Sequence, residues 1–311
     1  MKTRRAPPFR SILVPLDGSP LAEQAIPLAL EIARLARSKV RLVMVHPILP
    51  PPFYEESAQL YVSVDLAMRK AAREYLRGLA ARLREQSTLQ ISSLLLDGPT
   101  EAALARYVHD SGAELVVMTT HGRGGVRGAW LGSVADRLIR RLNVPVLVTR
   151  VREAAGTLAA LPRIREILVP LDGSALAEAA LAPAAAIAEL FEAELVLAQI
   201  VPPLTAGSLL PVNFAAGYDR DAVALQRKQA QDYLEECGEG LRKRGIRVRT
   251  IVAVGANVGE ALIGLAHPQR IDLVVIATHG RSRVQRLMLG SVADKLIRGA
   301  EPPVLAVRPT K

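Results

Sequence analysis

Short apolar runs alternate with longer amphipathic stretches along the whole chain. The first apolar run, residues 11–16, is typical of a strand that is buried on both faces of a sheet. Ser19 and Pro20 follow it and mark a helix start, because serine caps a helix and proline is tolerated at its first position. Strands that alternate with helices in this way favour a parallel sheet with helices on both faces, which is the doubly wound α/β class.

The same pattern predicts the individual elements of the first half of the chain. Strands are predicted at residues 11–16, 39–46, 89–96, 115–119 and 145–149. Helices are predicted from 20 to about 37, from about 63 to 85, over 100–111 and from 133 onward. Pro27, and Pro183 in the second half, are expected to kink the first helix. The proline-rich stretch from 47 to about 63 is predicted to be irregular.

The chain contains two copies of one pattern. ILVPLDGS occurs at 12–19 and again at 167–174, and THGR occurs at 120–123 and at 278–281. LGSVADRLIR at 131–140 is matched by LGSVADKLIR at 289–298. Because these blocks keep their order and nearly their spacing, we expect two domains, residues 8–150 and 163–309, joined by a linker at 151–162. Each is predicted to be a five-stranded parallel sheet of order 3-2-1-4-5.

Composition excludes several classes of protein. The chain has 40 basic and 30 acidic residues, but the basic ones are spread out and form no nucleic-acid-binding motif, so no specific nucleic-acid partner is expected. No apolar run is as long as a membrane span, and the basic stretch 1–10 is not followed by the apolar region of a secretory signal. The single cysteine, Cys237, fits a reducing compartment, and we expect the protein in the cytoplasm, away from the membrane.

The repeated blocks lie where a doubly wound sheet binds ligands. Such ligands lie beyond the carboxyl ends of the strands, where the strand order reverses, which here is between the first and fourth strands. Asp17 and Asp172 follow the first strand of each copy, and each is interpreted as a ligand acceptor in preference to a simple turn carboxylate. After the fourth strand, Gly132 and Ser133 open a helix whose free N–H groups and dipole favour a phosphate.

Other known motifs are absent from the sequence. There is no GxxxxGK[ST] of a P-loop and no GxGxxG after the first strand. HExxH, CxxC and GxSxG are also missing, so the sequence predicts neither a metal site nor a catalytic residue.

The glycine spacing resembles that of the universal stress protein family. ATP-binding members of that family carry G-x2-G-x9-G-[S/T] after the fourth strand. Gly122, nine residues and Gly132 fit its second half, and Gly280 with Gly290 fit it again. The resemblance covers both copies and implies that each binds ATP, with or without Mg²⁺.

The adenine is expected beside the strand ends, and the phosphates beside the glycine loop and the helix start. The candidate binding residues of the first copy are Pro15, Leu16, Asp17, Pro47, Met118, Thr119, Gly122, Arg123, Gly132, Ser133 and Val134. Those of the second copy are Pro170, Leu171, Asp172, Ile200, Ile276, Ala277, Gly280, Arg281, Gly290, Ser291 and Val292. In these sets Ile200 is taken as the counterpart of Pro47, and the two arginines are expected to balance phosphate charge.

The resemblance implies that this is an ATP-binding, cytoplasmic regulatory protein of the stress response. It is expected to act as a nucleotide-dependent switch and not as an enzyme. One alternative is a scaffold of the same fold without nucleotide, which Thr119 and Ala277 favour because they replace the first glycine of the family motif. Another is a slow ATPase or autokinase that uses Ser133 or Ser291, although no catalytic base is identifiable. The family pairs its domains through their last strands, so the two domains are expected to pair, and a homodimer is also open.

Overall fold

A computed structural model describes residues 8–47, 58–120, 131–150, 163–203, 220–278 and 289–309. The chain divides into two compact units, Met1–Pro162 and Arg163–Lys311. The predicted linker at 151–162 lies outside the described residues. None of the helices in the described ranges is long and apolar enough to cross a membrane.

A parallel sheet forms the centre of the first unit. Its described strands are β1 (Ser11–Leu16), β2 (Lys39–His46), β3 (Ile91–Asp97), β4 (Leu115–Thr119) and β5 (Val146–Thr149). They lie in the order β3-β2-β1-β4-β5, and all neighbours are parallel. Every residue of β4 and β5 is buried, which explains why these strands read as continuous apolar runs. The predicted α/β class with a parallel sheet is confirmed.

Five described helices accompany this sheet. They are α1 (Pro20–Glu23), α2 (Ile26–Ala36), α3 (Ala58–Glu85), α4 (Thr100–Ser111) and α5 (Ser133–Arg141). Because parallel crossovers are right-handed, α2 and α3 cover one face of the sheet, while α4 and α5, which contact each other, cover the opposite face.

The structure differs from the prediction at two helices. The helix expected from 20 to about 37 is two helices, and Pro27 is the second residue of α2, where its missing N–H costs no hydrogen bond. Proline therefore starts a new helix here instead of kinking one. Helix α3 begins at Ala58, earlier than predicted, because the prolines of the preceding stretch end at Pro52.

The second unit repeats this arrangement. Its described strands are β6 (Glu166–Pro170), β7 (Glu194–Val201), β8 (Val248–Val254), β9 (Leu273–Ala277) and β10 (Val304–Val307). Its described helices are α6 (Ala175–Glu178), α7 (Leu181–Phe191), α8 (Arg220–Lys243), α9 (Val258–Ala266) and α10 (Ser291–Gly299). The strand order is β8-β7-β6-β9-β10, again with parallel neighbours. Each unit thus has its own switch point, between β1 and β4 and between β6 and β9.

Candidate functional site

A cavity opens at the switch point of each unit, beyond the carboxyl ends of the strands. Its volume is about 770 Å³ in the first unit and about 800 Å³ in the second. Both values lie within the range of about 300–1,000 Å³ that is usual for small-molecule sites.

The structure brings the predicted site residues together wherever it describes them. In the first unit the cavity is lined by Pro15, Leu16, Asp17, Pro47, Met118, Thr119, Gly132, Ser133 and Val134. In the second unit it is lined by Pro170, Leu171, Asp172, Ile200, Ile276, Ala277, Gly290, Ser291 and Val292. The remaining candidates, Gly122, Arg123, Gly280 and Arg281, lie outside the described residues.

One correspondence between the copies needs correction. Strands β2 and β7 hold the same place in their sheets and have eight residues each, so Pro47, which follows β2, corresponds to Pro202, which follows β7. Ile200, which we took as the counterpart of Pro47, lies within β7. Both Pro202 and Ile200 line the second cavity.

Asp17 shapes the turn at the cavity wall. Its Oδ1 accepts hydrogen bonds from the backbone N–H of Ser19 at 2.9 Å and from the Ser19 hydroxyl at 2.6 Å. Asp172 and Ser174 repeat both bonds, at 3.0 and 2.6 Å. The turn also needs Gly18, whose φ of +81° is strained for other residues. The aspartate therefore has the structural role of a turn carboxylate in addition to its place beside the cavity.

Helices α5 and α10 begin at the cavity without a side-chain cap. The capping residues are Gly132 and Gly290, so Ser133 and Ser291 are the first helical residues. By contrast, the Ser19 hydroxyl caps α1 by accepting from a backbone N–H of its first turn. The first-turn N–H groups of α5 and α10 thus have no side-chain acceptor among the described residues, and the helix dipole adds to their attraction for an anion.

A glycine at position 290 is favoured by the backbone packing around it. Its N–H donates a 2.8 Å hydrogen bond to the backbone oxygen of Thr278, and a Cβ on Gly290 would lie only 3.3 Å from that oxygen. Gly132 makes the equivalent bond to Thr120 at 2.7 Å. The close approach of these two backbone segments thus favours glycine at position 290, whether or not a ligand is bound.

The inner faces of α3 and α8 form a wall of each cavity that sequence reasoning missed. The helical positions that contribute are spaced three, four and seven residues apart, which places them on one face. They are Met68, Ala71, Ala72 and Tyr75 in the first unit, and Gln226, Gln229, Ala230 and Tyr233 in the second. The amphipathic pattern of these helices was visible in the sequence, but the cavity that their inner faces meet was not.

The tyrosines of this wall are held by glutamates. The phenol of Tyr75 donates to Oε1 of Glu23 at 2.9 Å, and that of Tyr233 donates to Oε1 of Glu178 at 3.0 Å. Burial raises the pKa of both tyrosines. The hydrogen bond with Glu23 raises that of Tyr75 further, and the interactions with Cys237 and then with Glu178 raise that of Tyr233 further. Both phenols are therefore neutral hydrogen-bond donors at neutral pH.

The first cavity also has a charged margin. The buried His46 lies 2.6 Å from Oδ1 of Asp65, and Nε of Arg69 donates to Oδ2 of the same carboxylate at 2.6 Å. Arg69 also pairs with Asp97. The hydrogen bond from Arg69, and then that with His46, lowers the pKa of Asp65. In the second unit Val201 holds the strand position of His46, so the two cavities differ at this margin.

Few titratable groups line either cavity within the described ranges. They are Asp17, His46 and Tyr75 in the first unit, and Asp172 and Tyr233 in the second. No group of three potential metal ligands occurs anywhere among the residues that the structure describes. The described walls are therefore suited to holding a ligand by packing, backbone donors and a few polar contacts.

Two doubly wound domains in tandem, each with an uncapped helix N-terminus facing a cavity at its switch point, define a class of α/β ligand-binding protein. The chain belongs to the universal stress protein family, whose family model matches residues 8–150 and 163–308.

Individual relatives agree with this membership. A universal stress protein of Methanocaldococcus jannaschii is 31% identical over 147 residues, which cover 47% of this chain and 84% of that protein. One of Mycobacterium tuberculosis is 27% identical over 304 residues, which cover 96% of both chains. The crystal structure of a universal stress protein from Archaeoglobus fulgidus covers 96% of this chain and 98% of its own, with a TM-score of 0.69 and 17% identity. That structural likeness supports the fold.

Proposed function

We propose that the chain is an ATP-binding regulatory protein of the stress response, working in the cytoplasm as a nucleotide-dependent switch. The observation that carries this proposal is the uncapped N-terminus of α5 and of α10 at a cavity of nucleotide size. Phosphates would meet the backbone N–H groups of Ser133 and Val134, or of Ser291 and Val292, with or without Mg²⁺. Family membership supports the regulatory role, and the single cysteine fits a reducing compartment.

The alternative of a scaffold without nucleotide rests on Thr119 and Ala277. Both side chains are buried, with 6% of their surface exposed, and both lie in a cavity wall. The first cavity keeps about 770 Å³ with Thr119 in place, so the threonine does not fill it. This volume favours the nucleotide-binding proposal over the scaffold.

The alternative of an enzyme has less support. Phosphoryl transfer needs a positioned nucleophile, charge-balancing cations and usually a metal clamp around the transferred phosphate. Asp172 is the only carboxylate that lines the second cavity within the described ranges. A group of binding contacts without a base stabilises a bound ground state more than a transition state. We therefore propose that ATP is held as a signal, which shifts the conformation while it stays bound.

Analysis of the purified protein for bound nucleotide tests this function. The full chain is denatured, the released small molecules are separated by chromatography, and the nucleotide-free protein is titrated with ATP by calorimetry. We expect released adenine nucleotide, or a heat of binding at ATP concentrations up to about 1 mM. If the protein neither releases nucleotide nor gives heat at that concentration, the scaffold becomes the better account.

A further inference from the structure

Every methionine within the described ranges lines the first cavity. They are Met44 of β2, Met68 of α3 and Met118 of β4. The other two methionines of the chain, Met1 and Met288, lie outside the described residues. The wall of the first cavity therefore contains three thioether sulfurs, a group that oxidants convert to the sulfoxide.

The second cavity has no methionine in its described wall. Met44 and Gln199 are each the sixth residue of the equivalent strands β2 and β7. The shared tyrosine–glutamate bond aligns α3 with α8, and seven residues before that tyrosine stand Met68 and Gln226. Both glutamines line the second cavity and contain no sulfur, so the described walls of the two cavities differ in their sensitivity to oxidants.

Two of the three methionines are accessible to solvent. Met68 is 41% exposed and Met44 is partly buried, whereas Met118 is buried with 7% of its surface exposed. Oxidation of methionine requires contact between the sulfur and the oxidant, so the two accessible residues are the sites at which a small oxidant should react first.

These two methionines lie away from the phosphate end of the cavity. Strands β2 and β4 flank β1 on opposite sides, and α5 begins after β4. Met44 therefore lies across β1 from Ser133, roughly 10 Å away at two strand spacings. A nucleotide whose phosphates lie at the start of α5 extends its base toward Met44 and Met68, which would contact it by apolar packing.

We propose that Met44 and Met68 are oxidation sites through which a peroxide lowers the affinity of the first cavity for nucleotide. This inference rests on the proposed function. The thioether sulfur attacks one oxygen of hydrogen peroxide, so that an S–O bond forms and the O–O bond breaks. The sulfur gives up two electrons and becomes a sulfoxide, while the departing hydroxide takes the proton of the transferred oxygen and leaves as water.

The sulfoxide weakens binding because it places a strongly polar group in an apolar wall. A base that packs against Met44 or Met68 removes water from the sulfoxide oxygen, and this desolvation opposes binding. The described wall of the second cavity should keep its properties, since it has no thioether. Reduction by two thiols, which form a disulfide and release water, restores the methionine.

Calorimetry with ATP before and after treatment with hydrogen peroxide tests this proposal. The full chain is used as S291E, because the new carboxylate repels phosphate from the second cavity and leaves the first cavity to report. The dissociation constant should rise about tenfold as Met44 and Met68 each gain one oxygen atom, which peptide mass spectrometry follows. Methionine sulfoxide reductases with dithiothreitol should restore the original affinity.

Two further variants are matched controls. S291E/M44L/M68L keeps apolar side chains of similar size that cannot be oxidised, so peroxide should leave its affinity for ATP unchanged. In S133E the second cavity reports, and its affinity should also be unchanged because its described wall has no methionine.

The outcomes separate this inference from the function on which it rests. If ATP binds S291E and its affinity stays the same although Met44 and Met68 are oxidised, the inference is wrong and the proposed function stands. The same holds if both methionines resist peroxide, if S291E/M44L/M68L loses as much affinity as S291E, or if ATP binds the wild type but not S291E. If ATP gives no heat with the wild type or with any variant, both are wrong.

Discussion

Tyr75 donates a 2.9 Å hydrogen bond from its phenol to Glu23, and this bond ties the long helix α3 to the end of the short helix α1. Tyr233 and Glu178 repeat it in the second unit at 3.0 Å. Because each tyrosine also lines its cavity, the bond fixes the wall of the site to the turn that carries the aspartate.

Both tyrosines should keep their protons to unusually high pH. The ordinary pKa of a tyrosine is about 10. Burial raises it in both residues, as do the interactions with Glu23 in Tyr75 and with Cys237 and Glu178 in Tyr233. Each phenol has a higher pKa in the folded state than in the unfolded state. The contribution of each phenol to the free energy of unfolding is therefore complete below about pH 10 and is lost as the pH rises through the folded-state pKa.

Ultraviolet pH titration of the wild type and of Y75F/Y233F measures this shift. The difference between the two curves belongs to the two half-buried phenols, and its midpoint should lie above about 10. A difference curve centred on the ordinary value would show that neither phenol is shielded as the structure indicates.

A negative charge at the helix start should weaken ATP binding in both cavities. In S133E/S291E each new carboxylate occupies the first turn of its helix, where it stabilises the helix but repels a phosphate. We expect the ATP dissociation constant to rise by at least about tenfold, measured by calorimetry. The neutral variant S133Q/S291Q is of matched size and should lose much less. Equal losses in the two variants would mean that bulk, and not charge, disturbs the site.

Replacing Thr119 by alanine should change ATP affinity little. The variant T119A gives the first cavity the residue that the second cavity already has in Ala277. Because Thr119 is buried and leaves the cavity open, we expect a change in the dissociation constant of less than about tenfold. A much larger gain in affinity would show that the threonine obstructs nucleotide in the wild type and would favour a scaffold role for the first unit.

ATP turnover should be slow. Kinases work at about 1–100 s⁻¹, and the described cavity walls lack the groups that such rates require. Single-turnover measurements on the pure protein should therefore give a rate far below about 1 s⁻¹. A rate in the kinase range that is abolished in S133A/S291A would identify an enzyme.

The sequence predicted the sheets and one side of each cavity well, because both depend on local signals. Buried parallel strands leave continuous apolar runs, as in β4, and the repeated ILVPLDGS and LGSVAD blocks lie at strand ends that the topology brings together. The break between α1 and α2 was expected only as a kink, because a proline pattern alone does not show whether a helix bends or starts again.

The wall formed by α3 and α8 could not be predicted in the same way. Its contribution depends on how far each helix is rotated against the sheet, which is set by tertiary packing. Tyr75 and Gln226 look like ordinary residues of an amphipathic helix until the cavity is seen. The counterpart of Pro47 was misplaced for another reason. Ile200 lies 153 residues after Pro47, whereas the registers of β2 and β7 keep the spacing of 155 residues that separates Asp17 from Asp172, which leads to Pro202.

The burial of both sheets limits where the two copies are free to diverge. The first four residues of β4 and of β9 are buried and apolar in both copies, and a polar side chain there would lose its hydration without a partner. The cavity walls accept either methionine or glutamine without disturbing that interior. Duplication within one chain has therefore produced two cavities on a common frame, and the lining of each can change while that of the other stays the same.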